Sequence, residues 1–225
     1  RRRESHDSPA LIAVHTVGTC AALALAATFA LKEAWLSVAL AAMIPAIAWI
    51  DPHLPLPGLR QTALILAGIV LVRLACNPYV LSYPLDNAPA FDWLLYGYGL
   101  PMAAFAYGFH LFRRHGDDRL TQVLESGTII FAVLLASLEI RRWMAGGLSP
   151  SLSYELMEQS LQSLVWLTGS AVLFAIHARS GRIITLRAAQ ILLALAAGQT
   201  LIMQAIVDNP WMGGDDVGQG LILNT

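Results

Sequence analysis

A run of about twenty mostly apolar residues between charged flanks, Leu120 to Glu139, most constrains what this chain can fold into. A helix of that length crosses the roughly 30 Å of hydrocarbon in a bilayer at about 1.5 Å per residue. Two carboxylates interrupt the run, Glu125 and Glu139, and their separation of fourteen positions places both on one face of a helix. A carboxylate inside a span costs a few kcal/mol unless it faces protein or water. We therefore predict a membrane-spanning helix whose acidic face is directed away from lipid.

The composition extends this prediction to the whole chain. It is 56% hydrophobic and 13% charged, whereas about a quarter of the residues of an ordinary soluble domain are charged. A soluble fold of 225 residues could not bury that much apolar surface, so we expect lipid to cover it. The net charge of -1 argues against nucleic acid as a partner. The two cysteines, Cys20 and Cys76, show no spacing typical of a metal site, and we expect no metal and no cofactor.

Apolar runs recur along the chain, separated by loops rich in proline, glycine and charged residues. We predict an all-α fold, a polytopic transmembrane helix bundle that forms a single domain over residues 1–225. Its seven complete spans and the start of an eighth are predicted at residues 11–31, 34–50, 59–76, 93–112, 120–140, 155–177, 188–207 and 220–225. The chain begins without Met and ends inside an apolar run, so we expect it to be a fragment of a longer protein.

The distribution of basic residues predicts the orientation, because Lys and Arg are enriched on the cytoplasmic side. With the N-terminus in the cytoplasm, that side holds ten of them: Arg1, Arg2, Arg3, Arg60, Arg113, Arg114, Arg119, Arg179, Arg182 and Arg187. The other side holds four: Lys32, Arg73, Arg141 and Arg142. We therefore predict a cytoplasmic N-terminus, which puts the three long loops, 77–92, 143–154 and 207–219, on the outer side.

Arg73 and Glu139 are the first candidates for a functional site. Arg73 lies about one turn inside the outer end of the third span, and Glu139 lies at the outer end of the fifth. Arg73 either snorkels toward the interface or pairs with Glu139, which would lower the insertion cost of both groups. A buried ion pair is weak evidence of stability, so such a pair would indicate a site or a switch. We predict that the two groups meet, directly or through water, beneath the loop 77–92.

Five more residues on the predicted outer side complete this candidate site: Asp92, Tyr96, Arg141, Arg142 and Glu158. All of them except Asp92 also have a simpler interpretation. Arg141 and Arg142 are typical of contacts with lipid headgroups, and Glu158 starts a helix, where the dipole favours negative charge. Glu158 could also form an acid pair with Glu139. Tyr96 belongs either to the aromatic belt of the interface or to a cavity beside a kinked helix.

Polar residues inside the spans are the remaining candidates. Glu125, the candidate intramembrane acid, lies near the inner end of the fifth span, where a salt bridge with Arg119 or the 113–114 pair competes with a role in proton transfer. Three histidines are expected at the interface rather than as metal ligands: His15, His110 and His177. Three glutamines of the seventh span are expected to tie helices together: Gln190, Gln199 and Gln204.

Several phrases of the sequence resemble a known family: RLACNPYVL at 73–81, DWLLYGYGLP at 92–101, DDRLTQVLESG at 117–127 and LEIRRW at 138–143. They are similar to a bacterial family of large, many-spanning predicted membrane proteins known only as a domain of unknown function. The likeness covers roughly residues 60–180. It implies a multi-pass protein of the bacterial inner membrane and supplies no reaction, ligand or catalytic residue.

Three classes of function stay open at this point, because the sequence contains no strong catalytic motif. The preferred one is a non-enzymatic module for transport or envelope assembly, with polar helix faces lining a path. An enzyme acting on lipid-linked or glycan substrates at the outer face and a structural scaffold are the alternatives. The expected partners are membrane lipids, the remaining helices of the full-length protein and, for an assembly role, envelope proteins.

Overall fold

The computed structural model describes residues 9–30, 33–53, 57–76, 93–145 and 156–202. Some sequence-based predictions lie outside these ranges. They concern Asp92, the loop 77–92, most of the loop 143–154, the loop 207–219, the seventh span beyond residue 202, and the start of an eighth span.

Seven α-helices make up most of the described part of the chain, and none of its residues lies in a β-strand. They are α1 (Pro9–Ala30), α2 (Glu33–Ile50), α3 (Pro57–Ala75), α4 (Trp93–Arg113), α5 (Arg119–Ala145), α6 (Leu156–Ser180) and α7 (Ile183–Gly198). A π-helical turn continues α7 to residue 202. The all-α prediction is confirmed, and each helix overlaps one predicted span.

The start of the seventh helix is where the sequence-based boundary was wrong. The prediction assigned Arg187 to the turn before the helix, but α7 begins at Ile183 and contains Arg187. The turn is short because Gly181 ends α6 with a φ of 66°, and its N–H donates to the carbonyl oxygen of His177 at 2.7 Å. This is the usual C-terminal glycine cap of a helix. An exposed arginine can lie within the first turns of a helix, so charge alone did not locate the boundary.

By length and composition, four of the described helical segments are able to cross a membrane: Gly58–Ala75, Arg119–Met144, Met157–Ser180 and Ile183–Ile202. Two further apolar helices, Val14–Ala27 and Trp35–Ile50, are shorter. Only 17% of the spanning window of Met157–Ser180 is buried within the described structure. Most of that surface is therefore left for lipid or for other helices.

Residues Arg1–Leu138 form one compact unit, in which α2 packs on α3 and α4. Glycines permit its closest approaches. A Cβ atom at Gly108 in α4 would lie 2.9 Å from the side chain of Ile44 in α2, and one at Gly127 in α5 would overlap the ring of Phe105. Phe105 in turn makes an edge contact with Phe131, with 5.1 Å between ring centroids. The core of this unit therefore combines closely spaced helix backbones with buried aromatic rings.

Polar contacts fix both ends of this unit. At one end, Arg60 near the start of α3 donates to the carbonyl oxygen of Phe112 at 3.2 Å and pairs with Asp118 at 3.3 Å. At the other end, the hydroxyl of Tyr98 near the start of α4 donates to the carbonyl oxygen of Leu74 at 2.9 Å. The start of α3 thus lies beside the end of α4, and the end of α3 lies beside the start of α4. The two helices are therefore antiparallel neighbours.

Residues Glu139–Thr225 form the second compact unit, and its described part contains the hairpin of α6 and α7. A Cβ atom at Gly169 would lie 3.3 Å from Leu192. The face of α7 that is buried consists of Thr185, Ala189, Leu192 and Ala196. Their spacing places them on one side of the helix. Small residues at such a contact bring the two backbones close together, as is usual for helix pairs in membranes.

Candidate functional site

A buried ion pair joins the end of α5 to the start of α6. Nη1 of Arg141 lies 2.9 Å from Oε1 of Glu158, and only 6% of Arg141 and 3% of Glu158 is exposed. The two helices follow one another in the chain, so the last turns of α5 meet the first turns of α6. Taking either charge out of water alone would cost several kcal/mol, and the pairing offsets part of that cost.

A line of polar side chains runs along α6 and begins at Gln159, the residue that follows Glu158. We call it the polar seam and define it as Gln159, Ser163, Ser170 and His177. At 100° per residue, the last three lie within about 40° of the direction of Gln159. The seam extends about 27 Å along the helix axis at 1.5 Å per residue, close to the thickness of the hydrocarbon core. One face of α6 is therefore polar at intervals over nearly the depth of a membrane.

The seam faces α7, as two hydrogen bonds between the helices show. Nε2 of Gln199 donates to the carbonyl oxygen of Gln159 at 3.2 Å, and the hydroxyl of Ser170 donates to the carbonyl oxygen of Ala189 at 2.8 Å. The expectation that Gln199 ties two helices together is confirmed by the first of them. Interhelical bonds of this kind contribute about 0.6 kcal/mol each on average in membrane proteins.

The other two residues of the seam differ in their contacts. His177 lies at the α6–α7 turn, where its Nδ1 is 2.7 Å from the carbonyl oxygen of Arg182. Ser163 is 5% exposed, and its hydroxyl makes no hydrogen bond in the described structure. The carbonyl four residues earlier, which a serine in a helix often uses, is that of Gln159 and accepts from Gln199. The packing of α6 on α7 therefore accounts for the hydroxyl of Ser170 but not for that of Ser163.

A second ion pair lies beside the buried one. Nε of Arg142 is 3.3 Å from Oε2 of Glu139 within α5, and their side chains are 20% and 33% exposed. The structure therefore gives Arg141 and Arg142 different partners on different elements. The hypothesis of an acid pair between Glu139 and Glu158 is replaced by two ion pairs, because each of these carboxylates contacts an arginine.

The other predicted site residues lie in the first unit. Nε of Arg73 donates to the hydroxyl of the buried Ser37 at 2.9 Å. Tyr96 stacks on Trp35 with 4.9 Å between ring centroids. These contacts bring the end of α3 and the start of α4 to the start of α2. The pairing of Arg73 with Glu139 would join the two compact units, and it stays a prediction.

Two further predicted site residues are Glu125 and Asp92. Glu125 is buried, with 7% of its surface exposed, in the part of α5 that belongs to the first unit. Its assignment to a salt bridge or to proton transfer stays open. Asp92 lies outside the described residues.

Sequence reasoning missed two features of the second unit. It did not pair Arg141 with Glu158, although opposite charges at the end of one helix and the start of the next were a usable signal. It did not single out Ser163 or Ser170, because serines are common in membrane helices and only the packing of α6 on α7 distinguishes them. Among the described residues, no group of three or more His, Cys, Asp or Glu side chains could hold a metal ion.

Neither the curated proteins nor the solved structures include one that matches the chain. A family model described as a predicted membrane protein, DUF2339, matches residues 1–225. The match covers all seven helices and both units, and it confirms the resemblance noted in the sequence. The chain therefore belongs to the DUF2339 family of predicted membrane proteins.

Proposed function

We propose that the chain is part of a multi-pass protein of the bacterial inner membrane that acts as a non-enzymatic module for transport or envelope assembly. All seven helices cross the membrane, and the N-terminus is cytoplasmic. In the second unit, the polar seam lines a path or groove for a polar solute between α6 and α7. The ion pair of Arg141 and Glu158 lies at the outer end of that path.

One observation carries this proposal: the polar seam extends along the face of α6 that meets α7, and it begins at Gln159, next to Glu158 of a buried ion pair. Interhelical hydrogen bonding accounts for Ser170, whose hydroxyl binds the carbonyl of Ala189. It does not account for the buried hydroxyl of Ser163 or for two charges placed where burial is unfavourable. Polar and ionisable residues that face the interior of a membrane bundle typically line pathways for ions or substrates.

The arrangement of helix ends supports the orientation. Arg60, at the start of α3, contacts Phe112 and Asp118, at the end of α4 and just before α5. These elements belong to the side with the larger number of basic residues. Ser37 and Arg73 meet at the opposite end, on the side with the smaller number. Within the first unit, these contacts place Arg60 and Arg73 at opposite ends, which agrees with the assignment of these two residues to opposite sides of the membrane.

Cysteine accessibility tests the path directly. In full-length protein with Cys20 and Cys76 replaced by serine, we would introduce Ser163→Cys or, as the matched control, Leu164→Cys. Ser163 is buried in the seam, whereas Leu164 is 59% exposed on the apolar surface of the same helix turn. A membrane-impermeant thiol reagent added to the outer side is expected to label Ser163→Cys at least tenfold faster, because thiolate forms only in contact with water.

Equal and negligible labelling at the two positions would contradict the proposal. A dry, well-packed α6–α7 contact would then favour a structural scaffold. Labelling of Ser163→Cys from the cytoplasmic side alone would reverse the predicted direction of access and with it the topology.

A further inference from the structure

The ion pair at the outer end of the seam contains two charged groups, which the lining of a polar path does not require. A polar path through α6 and α7 needs only hydroxyl and amide groups, yet this one ends at a buried arginine and a buried carboxylate. We propose that Arg141 and Glu158 form a proton-coupled binding site for an oxyanion, in which the anion replaces Glu158 at the guanidinium while Glu158 takes up one proton. This inference rests on the proposed function, since it names the class of solute that the seam would admit.

The balance of charge in a buried site is the reason for the coupling. Arg141 and Glu158 are more than nine-tenths buried, and together they are neutral. An anion that entered alone would leave two negative charges facing one positive charge, which is expensive away from water. If Glu158 accepts a proton from water as its contact with Nη1 breaks, Arg141 and the anion form a new neutral pair. Release of the anion returns the proton to water and restores the original pair.

The identity of the cation defines the class of ligand. A guanidinium is planar and stays charged, and its forked donors match the geometry of carboxylate, sulfonate and phosphate groups. Protonated Glu158 would keep one O–H donor for the same ligand. Both groups lie at the contact between α5 and α6, where a ligand that displaced the carboxylate of Glu158 would meet the donors of Arg141 and the protonated carboxyl together. The site therefore fits an oxyanion with at least two acceptor oxygens.

Arg141 is the charged group in contact with Glu158, at 2.9 Å, and the other elements packed around the pair can be taken in turn. From α5, the other charged groups at this end are Arg142 and Glu139, which pair with one another at 3.3 Å. From α7, the described residues at this end, Gln199 to Ile202, carry no charge. Arg187 and His177, of α7 and α6, lie toward the opposite end of the hairpin. No other described titratable group on these helices is placed to supply the proton.

Calorimetry measures the coupling. Full-length protein in detergent would be titrated with methanesulfonate, a monoanion whose own charge does not change with pH, in two buffers with different enthalpies of ionisation. The dependence of the measured enthalpy on the buffer gives the number of protons taken up. We expect about one proton per bound anion and an apparent Kd that rises about tenfold per unit of pH. Binding without proton uptake would overturn the proposal.

Amino-acid substitutions show which residues take up the proton and bind the anion. Glu158→Gln is expected to bind methanesulfonate with no proton uptake and no dependence on pH, and Glu158→Asp is expected to restore both. Glu139→Gln is the matched control, because it makes the same change in the neighbouring, more exposed pair, and it should leave the proton uptake unchanged. The double variant Arg141→Gln/Glu158→Gln keeps the site neutral and should lose binding at least tenfold. Proton uptake that persists in Glu158→Gln, or binding that persists in the double variant, would overturn the proposal.

The same titration separates the possible sources of the oxyanion. Short-chain phosphatidylglycerol offers a phosphodiester with a net charge, and short-chain phosphatidylcholine offers the same group without a net charge. Proton uptake with methanesulfonate identifies a free solute as a ligand, and uptake with phosphatidylglycerol but not phosphatidylcholine identifies a lipid headgroup. No uptake with either anion would reject the site. Labelling at Ser163→Cys is independent of this result, so a path without anion binding and binding without a path are distinguishable outcomes.

Discussion

Two glycines in the middle of helices illustrate how strongly the neighbours of a residue decide the effect of a substitution. A Cβ at Gly127 in α5 would overlap the ring of Phe105 and approach Leu71 at 3.3 Å, whereas a Cβ at Gly68 in α3 would meet nothing within 4 Å. Phe105 is fully buried and cannot move aside. We predict that Gly127→Ala lowers the free energy of unfolding by about 1–3 kcal/mol, as overpacking does.

Gly68→Ala is the control for this prediction. It makes the same change in open space, and alanine favours a helix over glycine by up to about 1 kcal/mol. Thermal unfolding in detergent should therefore show a lower Tm for Gly127→Ala and an unchanged or higher Tm for Gly68→Ala. Similar decreases in both variants would mean that α5 does not pack on α4 through Gly127.

The buried ion pair leads to a prediction about single and double substitutions. Arg141→Met leaves Glu158 buried without its cation and should lower the free energy of unfolding by about 3–5 kcal/mol. Arg141→Met combined with Glu158→Met removes both charges and should destabilise the protein by less than Arg141→Met alone. A double-mutant cycle in detergent measures the difference as a coupling energy.

The neighbouring pair serves as the comparison. Arg142 and Glu139 form the same kind of contact at the same end of α5, but their side chains are 20% and 33% exposed. Solvent screens such a pair, so Arg142→Met should change the free energy of unfolding by at most about 1 kcal/mol. Equal effects at Arg141 and Arg142 would show that burial does not distinguish the two pairs.

At the scale of helices, the contact between α6 and α7 can be tested through two hydroxyls on α6. The hydroxyl of Ser170 donates across to Ala189 of α7, whereas that of Thr168 donates to Leu164 within its own helix. We predict that Ser170→Ala destabilises the hairpin by about 0.5–1.5 kcal/mol. Thr168→Ser, which keeps the local bond, should be neutral. Thermal unfolding of the two variants makes the comparison, and equal Tm values would argue against a stabilising interhelical bond.

Helix positions could be predicted from the sequence because the periodic apolar runs are long and proline and glycine separate most of them. The predicted span 93–112 differs little from α4 (Trp93–Arg113), and 120–140 lies within α5 (Arg119–Ala145). The prediction failed where a charged residue stood inside a helix, at Arg187 in α7. A local signal, the αL conformation of Gly181, defines that boundary instead.

At the scale of the whole molecule, the candidate site was only partly predictable. The sequence identified Arg141, Arg142, Glu139 and Glu158 as members of one polar region, because they lie at the same predicted depth. The order of the charges along the chain was compatible with the pairing of Arg141 and Glu158, but only the contact between α5 and α6 establishes it. The polar seam could not be predicted for the same reason. Its serines and its glutamine are distinguished from other polar residues of α6 only by the packing of α7 on them. The prediction that Arg73 meets Glu139 needs the arrangement of the two units and stays untested.

The orientation of the whole chain is the last prediction. Ten of fourteen Lys and Arg residues fall on the side that contains the N-terminus if all seven helices span. Such a bias places that side in the cytoplasm. Gly116 lies in the exposed turn between α4 and α5, and exposed turns of this kind usually accept an insertion. A fluorescent protein at Gly116 should be bright, and a phosphatase that folds only outside should be active at Asn87. Reversed signals would overturn the orientation, and signals of the same type at both sites would mean that α4 does not cross the membrane.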